Sequence, residues 1–580
     1  MENLNLVNAI DPRLEALAGP QRKLKWHVPQ GAAYTNKVAQ KANSVSNQSV
    51  SFNFNTQGKN VLIDRRFYTR MRFKVAMLCH NNGTGQNATP FAVGTDAPRA
   101  FPIASCAENV SVSINGTSVS CNYADMMQAY QHYSSPLELS AYELSGTPTQ
   151  LDHYQEFTTI PDSDTNARSP FATQQHSGSQ QLSRASFNII SMNATNVGDN
   201  ATETRECVFE VVEPLMISPL LYSSTALESA LLGVTNLAVN INFGDLNRVW
   251  SQKLRTNIIN TPTTTIVGTP ELLMEYKNLQ LVGESKIPET VRYNYQRPEV
   301  YVNSTNQQIG AATGAAFPTL SVTNNAIQLS ACPKKIYIYA SKARGAKTFQ
   351  DADTFIPITS LSLSYLNVSG QFSAFSQADL FNMCVKNGYT GSFQKWSGKA
   401  SGIFGGGVAN SISAAGTAGR HTLAGPVLCL DSTDLALPSN IASGCLVNSQ
   451  LQFQLGLENV NTAAIDVVIT TIVVQDGVME ISEGGMTTRI GVINSDEILA
   501  VRSSGVQEPI VHGTQLQGGG IFDVLKDIVD KVPEAIEHGK TVYETGMKIK
   551  DLAGLGRTQG GAFVGGKAMS KADLKRLLAQ

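Results

Sequence analysis

One short stretch constrains the fold more than any other: Val110-Ser111-Val112-Ser113-Ile114, then Asn115-Gly116, then Thr117-Ser118-Val119-Ser120-Cys121. Apolar and small polar residues alternate on both sides of an Asn-Gly pair, and Asn-Gly supplies the two positive-φ positions of a type I′ turn. The stretch reads as a β-hairpin with one face toward a core. Period-2 patterning continues in Val50–Phe54, Phe67–Val75, Val208–Val212 and Leu237–Phe243. Immediately after the hairpin, Met126, Met127, Tyr130 and Tyr133 fall at helical spacing, so a single short helix over 123–133 is expected.

The same order returns downstream. Leu361 to Val368 with Ser369-Gly370 reads as a strand and turn, and Ser376 to Val385 as a short helix opened by Ser-x-x-Asp. Each helix precedes a long polar loop, Thr147 to Gln181 and Gly391 to Gly419, and each loop precedes late strands, in the second half Val427–Leu430 and Ile469–Val474. The order of strands, turn, helix, loop and strands therefore occurs twice. Two jelly rolls of about 200 residues each account for such a chain, because that architecture closes two sheets over one core. The expected fold is all-β, two tandem eight-stranded jelly rolls with short helices and a helical C-terminal tail. Boundaries are expected at 1–45 for a polar N-terminal arm, 46–260 and 261–505 for the rolls, and 506–580 for a Gly-rich linker and tail. The arm carries Arg22, Lys23 and Lys25 beside Trp26.

The tail differs in kind from the body. Residues 520–580 hold 10 Lys/Arg and 8 Asp/Glu, against 34 and 38 in residues 1–519. Ile521, Leu525, Ile528, Val529, Val532 and Ile536 follow one helical face, broken at Pro533. Leu516-Gln517-Gly518-Gly519-Gly520 marks the joint.

Composition then excludes function classes. Charged residues make up 16% of the chain and the net charge is −2, which leaves no basic excess for dedicated nucleic-acid binding; genome contact is expected to be weak at most. The eight cysteines form no C-x-x-C pair, and the eight histidines never fall at i, i+3 or i, i+4, so no metal site is expected. Gly402 to Gly407 lacks the Lys-Ser/Thr of a phosphate loop, and Asp162-Ser163-Asp164 lacks the ligand spacing of a calcium loop. Neither a catalytic group nor a cofactor is expected. The start shows no secretory signal, and no segment is long and apolar enough to span a bilayer. A carbohydrate-binding or carbohydrate-degrading β-sandwich is the alternative of a different class. Three Trp (26, 250, 396) are few for sugar platforms.

Several pieces in order carry a family resemblance: Asp96 to Ile103, the Ile114-Asn115-Gly116 hairpin, the helix ending Tyr133-Ser134-Ser135-Pro136-Leu137, Asn247 to Ser251, Pro333 to Tyr337, Val385 to Tyr389, and Asp476 to Ser482. Together the chain resembles the major capsid proteins of virophages and related Polinton-like viruses. The resemblance implies a double jelly roll, a homotrimeric pseudo-hexagonal capsomer, and an icosahedral shell shared with neighbouring capsomers, penton and minor capsid proteins. Such capsid proteins commonly pair with an adenovirus-like maturation protease cutting after Gly. Leu516-Gln517-Gly518-Gly519 before Gly520 is similar to one cleavage pattern, and Leu552-Ala553-Gly554-Leu555-Gly556 to a second.

Overall fold

The computed structural model describes residues 7–8, 25–26, 32–56, 61–83, 91, 96–134, 188–193, 195–217, 230–252, 261–279, 290–311, 317–349, 351, 353–401, 420–422, 425–460, 463–482 and 485–493. The chain divides at Pro509/Ile510, and everything beyond that point lies outside the described residues.

Eight strands build the first roll: β1 (Ala32–Lys41), β2 (Ser49–Asn55), β3 (Tyr68–His80), β4 (Ala107–Ile114), β5 (Thr117–Asn122), β6 (Thr202–Pro214), β7 (Asn236–Phe243) and β8 (Thr263–Leu279). One sheet runs β5-β4-β7-β2 and the other β6-β3-β8-β1, all antiparallel. Short strands Asn188–Met192, Val61–Asp64 and Ala230–Leu232 widen the second sheet. Along β3 the pleat sends Met71, Phe73, Val75, Met77 and Cys79 inward, all at most 1% exposed. On the outer face, Arg70 meets Glu271 at 2.9 Å and Arg72 meets Glu210 at 2.7 Å.

The second roll repeats that plan. Its strands are β9 (Thr290–Ile309), β10 (Thr319–Thr323), β11 (Ile327–Ala331), β12 (Pro333–Lys342), β13 (Ile358–Tyr365), β14 (Val368–Gln371), β15 (Leu428–Asp431), β16 (Leu446–Glu458) and β17 (Ile465–Ser482). The sheets run β14-β13-β16-β10, with β11 also on β16, and β15-β12-β17-β9. Taking β10 and β11 as one interrupted strand gives the same eight positions and the same neighbours as in the first roll. Leu361, Leu363, Phe453, Leu455 and Leu457 fill its core with Ile336 and Ile338.

The helices obey the repeat too. α1 (Pro102–Cys106) belongs to the first roll alone, whereas α2 (Tyr123–Tyr133) and α3 (Gln377–Lys386) each follow the edge hairpin of their sheet. Ser376 accepts from the Asp379 amide and Asp379 returns the bond, the capping box that the sequence predicts.

Four expectations need correction. Residues 263–279 form β8, bonded to β3 and β1, so the first roll extends past 260 to Leu279. Gly268 to Pro270 sit in a bulge between the paired Val267 and Glu271, which breaks the alternation and disguises the strand. The arm is not wholly an arm: 32–41 form β1, an edge strand whose one-sided, half-buried pattern is weak. Lys25–Trp26 pair with Val7–Asn8, while Arg22 and Lys23 lie outside the described residues. The second hairpin turns at Leu366-Asn367 (φ 50° and 62°), not at Ser369-Gly370, which lies in β14. In the segment 391–419, α4 (Phe393–Ser397) and the strand Lys399–Ser401, which pairs with Arg420–Thr422 just beyond the segment, replace part of the expected loop. The remainder of that loop, Thr147 to Gln181, Asp162 to Asp164 and Gly402 to Gly407 lie outside the described residues.

Candidate functional site: the seam between the rolls

Among the described residues, buried charges and hydrogen-bonding side chains gather at the junction of the two rolls. Its centre is α2. Tyr123, Met126 and Met127 face the first roll's own core, while Ala129, Tyr130 and Tyr133 pack on the outer face of the second roll's sheet, against Tyr337, Tyr339, Ile472 and Val474. The helix is thus buried on two sides, which explains its row of Met and Tyr. The Tyr133 hydroxyl donates to the Val427 carbonyl at 2.7 Å and the Tyr339 hydroxyl to the Asp125 carbonyl at 2.9 Å. Burial holds both phenols well above their ordinary range, so they remain donors. The same packing buries β17 on both faces, since Ile469 and Val473 point into the second core and Ile472 and Val474 toward α2.

Beside the helix lies an ionic cluster. The strand Asp96–Pro98 pairs with Trp250–Gln252, and a 3₁₀ turn, Leu246–Val249, precedes the latter, opened by Asp245 accepting from the Asn247 amide at 2.9 Å. This arrangement sets Arg99 and Arg248 side by side. Both reach the segment 347–353 of the second roll: Arg99 donates to the Phe349 carbonyl at 3.0 Å, and Arg248 to the Thr348 and Asp351 carbonyls at 2.6 and 2.9 Å. Asp353 pairs with Arg248 and with Arg99 at 3.7 Å, while Lys347 lies at 4.0 Å. The Arg99 side chain is 0% exposed. Burial alone raises the Asp353 carboxyl, but Arg248, Arg99, Lys347 and Arg344 outweigh it and hold the group well below the ordinary carboxylate range. Burial pushes Lys347 down to about 8, with Arg248 and Arg344 adding to the effect.

α1 adjoins this cluster. Its N-cap, Phe101, offers no side-chain acceptor, and the amides of Ile103 and Ala104 go instead to Glu213 at 2.6 and 3.0 Å. Burial pushes the Glu213 carboxyl up to about 8 against the pull of those two amides.

The third part of the seam is a plug. β9 and β17 are 20 and 18 residues long and overrun their own roll, so Tyr295, Met479 and Ile481, with Met486 of the strand Gly485–Ile490, join the first roll's core. Burial of each such side chain contributes about 1.5–3 kcal/mol. Asn115, in the hairpin turn at φ 48°, pins the plug. Its Oδ1 accepts from the Thr235 amide and hydroxyl and the Asn236 amide, and its Nδ2 donates to the Gly233 and Ser482 carbonyls, both at 2.8 Å.

A cleft of about 420 Å³ opens beside the plug, between β5 and β9. Inside it Arg297 pairs with Glu299, and the Tyr301 hydroxyl donates to Glu299 at 2.7 Å. Among the described residues no group of three His, Cys, Asp or Glu side chains is placed to hold a metal. Trp250 and Trp396 are 1% and 0% exposed and so offer no sugar platform. The sequence segments 96–103 and 247–251 meet here, whereas Asp353 and Lys347 carried no signal in the sequence. Leu516, Gln517, Gly518, Gly519 and Gly520, and Leu552, Gly554, Leu555 and Gly556, lie outside the described residues.

Comparison with known proteins agrees with this architecture. Residues 14–282 match the family model of the Sputnik virophage major capsid protein 1st domain, and residues 299–477 that of the major capsid protein V20 C-terminal domain. The chain is 24% identical to the putative capsid protein V20 of Sputnik virophage, over 99% of this chain and 98% of that one. In structure it is similar to a chain of the Sputnik virophage particle (TM-score 0.71, 22% identity, covering 88% of this chain and 97% of that one). It is also similar to the mavirus major capsid protein (TM-score 0.65, 15% identity, covering 86% and 98%). Two jelly rolls of one plan, joined by a buried seam, define a double jelly-roll fold, and the family models that match the two rolls are both of major capsid proteins. More narrowly, the chain belongs to the family of virophage major capsid proteins, and its place is the virion capsid.

Proposed function

We propose that three copies of the chain assemble into a pseudo-hexagonal capsomer and that capsomers tile an icosahedral shell around a DNA genome. The observation that supports this most is the seam. Two rolls of equal strand order, held rigid by α2, the Arg99–Arg248–Asp353 cluster and the Asn115 plug, give one chain two near-equivalent faces. Three chains then supply six such faces, enough for a six-sided tile. Self-association comes first, and neighbouring capsomers, penton and minor capsid proteins are the further partners. With a net charge of −2, genome contact is weak. Light scattering on the purified protein tests the reading: a species of about three times the 62.3 kDa chain mass is expected.

The tail forms a second part of the proposal. A maturation protease of the adenovirus type cuts within Leu516 to Gly520, with Leu552 to Gly556 the secondary site. The division of the chain at Pro509/Ile510 lies just before the first of these. Capsid-protein family models match both rolls, which argues against the carbohydrate alternative.

A further inference from the structure

Cys332 and Cys445 face each other where β11 and β16 begin to separate. Ala331 pairs with Leu446, and one step further the Cys332 amide donates to the Cys445 carbonyl at 2.8 Å, while the Gly444 amide donates to the Cys332 carbonyl at 3.3 Å. Residues opposed in an antiparallel ladder have Cα atoms about 4.5–5.5 Å apart, inside the roughly 4.4–6.8 Å that a disulfide spans. Both side chains lie in one small apolar cluster with Val447, 0% and 1% exposed. Across the described ladders Cys121 faces Val110, Cys207 faces Val75, Cys79 faces Glu203 and Cys429 faces Tyr337; Cys384 approaches the Cys429 backbone from α3, with both side chains 0% exposed.

We propose that Cys332 and Cys445 are an oxidisable pair that closes to a disulfide when the protein meets a small-molecule disulfide of the glutathione class. The cover over the pair is thin. Leu446 beside it is 71% exposed, and the turn 442–445 passes through Gly444 at φ 83°. Opening of this turn brings Cys445 to solvent first. Burial pushes the Cys332 thiol up to about 11, so it is a weak nucleophile while it stays covered. The Cys445 thiolate attacks one sulfur of the oxidant, forming a mixed disulfide and releasing one small thiolate. Cys332 then gives its proton to solvent and attacks the Cys445 sulfur, expelling the second thiolate. Two protein thiols are oxidised and one small disulfide is reduced to two thiols.

The consequence is a covalent clamp across the second roll, closing residues 332 to 445 into a ring. It also fixes the turn that holds the last described residues, since the Ile493 amide donates to the Gly444 carbonyl at 3.1 Å. Such a clamp is absent in a reducing cytosol and forms outside it.

The test uses the full chain, purified reduced and incubated with oxidised glutathione, then trapped with an alkylating agent and mapped by mass spectrometry without reduction. The expected result is a linked peptide pair containing Cys332 and Cys445, with the other six cysteines alkylated after denaturation. The unfolding midpoint should rise by roughly 5–10 °C, reversibly with reductant, and Cys445→Ala should show no rise. Full alkylation of all eight cysteines after prolonged oxidation, or glutathione held on Cys445 with no link to Cys332, overturns the proposal. The peptide map decides even if the variant folds poorly.

Discussion

The side chain of Asn115 donates a hydrogen bond of 2.8 Å to the carbonyl of Ser482, joining two residues 367 positions apart. A residue chosen for a tight turn thereby ties the second roll's longest ribbon to the first roll's hairpin.

Replacement of Asn115 separates its two roles. Asn115→Gly keeps the positive φ and loses the side-chain bonds, and should lower stability by about 2–3 kcal/mol. Asn115→Ala should cost about 1–2 kcal/mol more, because it adds a Cβ strained in the left-handed region. Denaturant midpoints of both variants against the parent measure the difference.

Asp353→Asn leaves Arg99 and Arg248 without their shared anion, and should cost about 3–5 kcal/mol. The native carboxyl of Asp353 lies below its unfolded value of about 3.9. Its contribution is therefore complete above pH about 4 and is lost as pH falls below that, where the unfolded chain binds the proton first. Acid titration of the unfolding midpoint should show a shallower acid limb in Asp353→Asn than in the parent.

Glu213 works in the opposite sense. Its carboxyl keeps a proton up to about 8 in the folded chain, whereas the unfolded group releases it near about 4.3. Its contribution is complete below the lower value and is lost as pH rises through the upper one, with a slope up to about 1.4 kcal/mol per pH unit. Urea unfolding across that window should show this slope in the parent and its loss in Glu213→Gln.

Much of this was legible because the signals were local. The Asn115-Gly116 turn, the 123–133 helix and the Ser376/Asp379 capping box each follow from a few adjacent residues, and the repeated order placed the two helices after equivalent strands. What was hidden lay where tertiary context overrides local preference. Leu366 in a left-handed turn does not advertise itself, since leucine there is strained and is held by packing against the second core. β8 was masked by its bulge, and β1 by its place at a sheet edge. The seam was least legible, because Arg99, Arg248 and Asp353 are scattered charges until the fold brings them together.

For the tail, mass spectrometry of the chain from mature particles should find a species ending within Leu516 to Gly520. A chain ending at Gly519 should remain soluble and assemble like the parent. An intact 580-residue chain in particles removes the cleavage proposal.

Electron cryomicroscopy of the purified, assembled protein tests the central claim most directly. Six-sided capsomers are predicted, each built of three chains, with two jelly rolls per chain joined through α2 and the Arg99–Arg248–Asp353 cluster. Monomers alone, or rings of any other chain number, would contradict it.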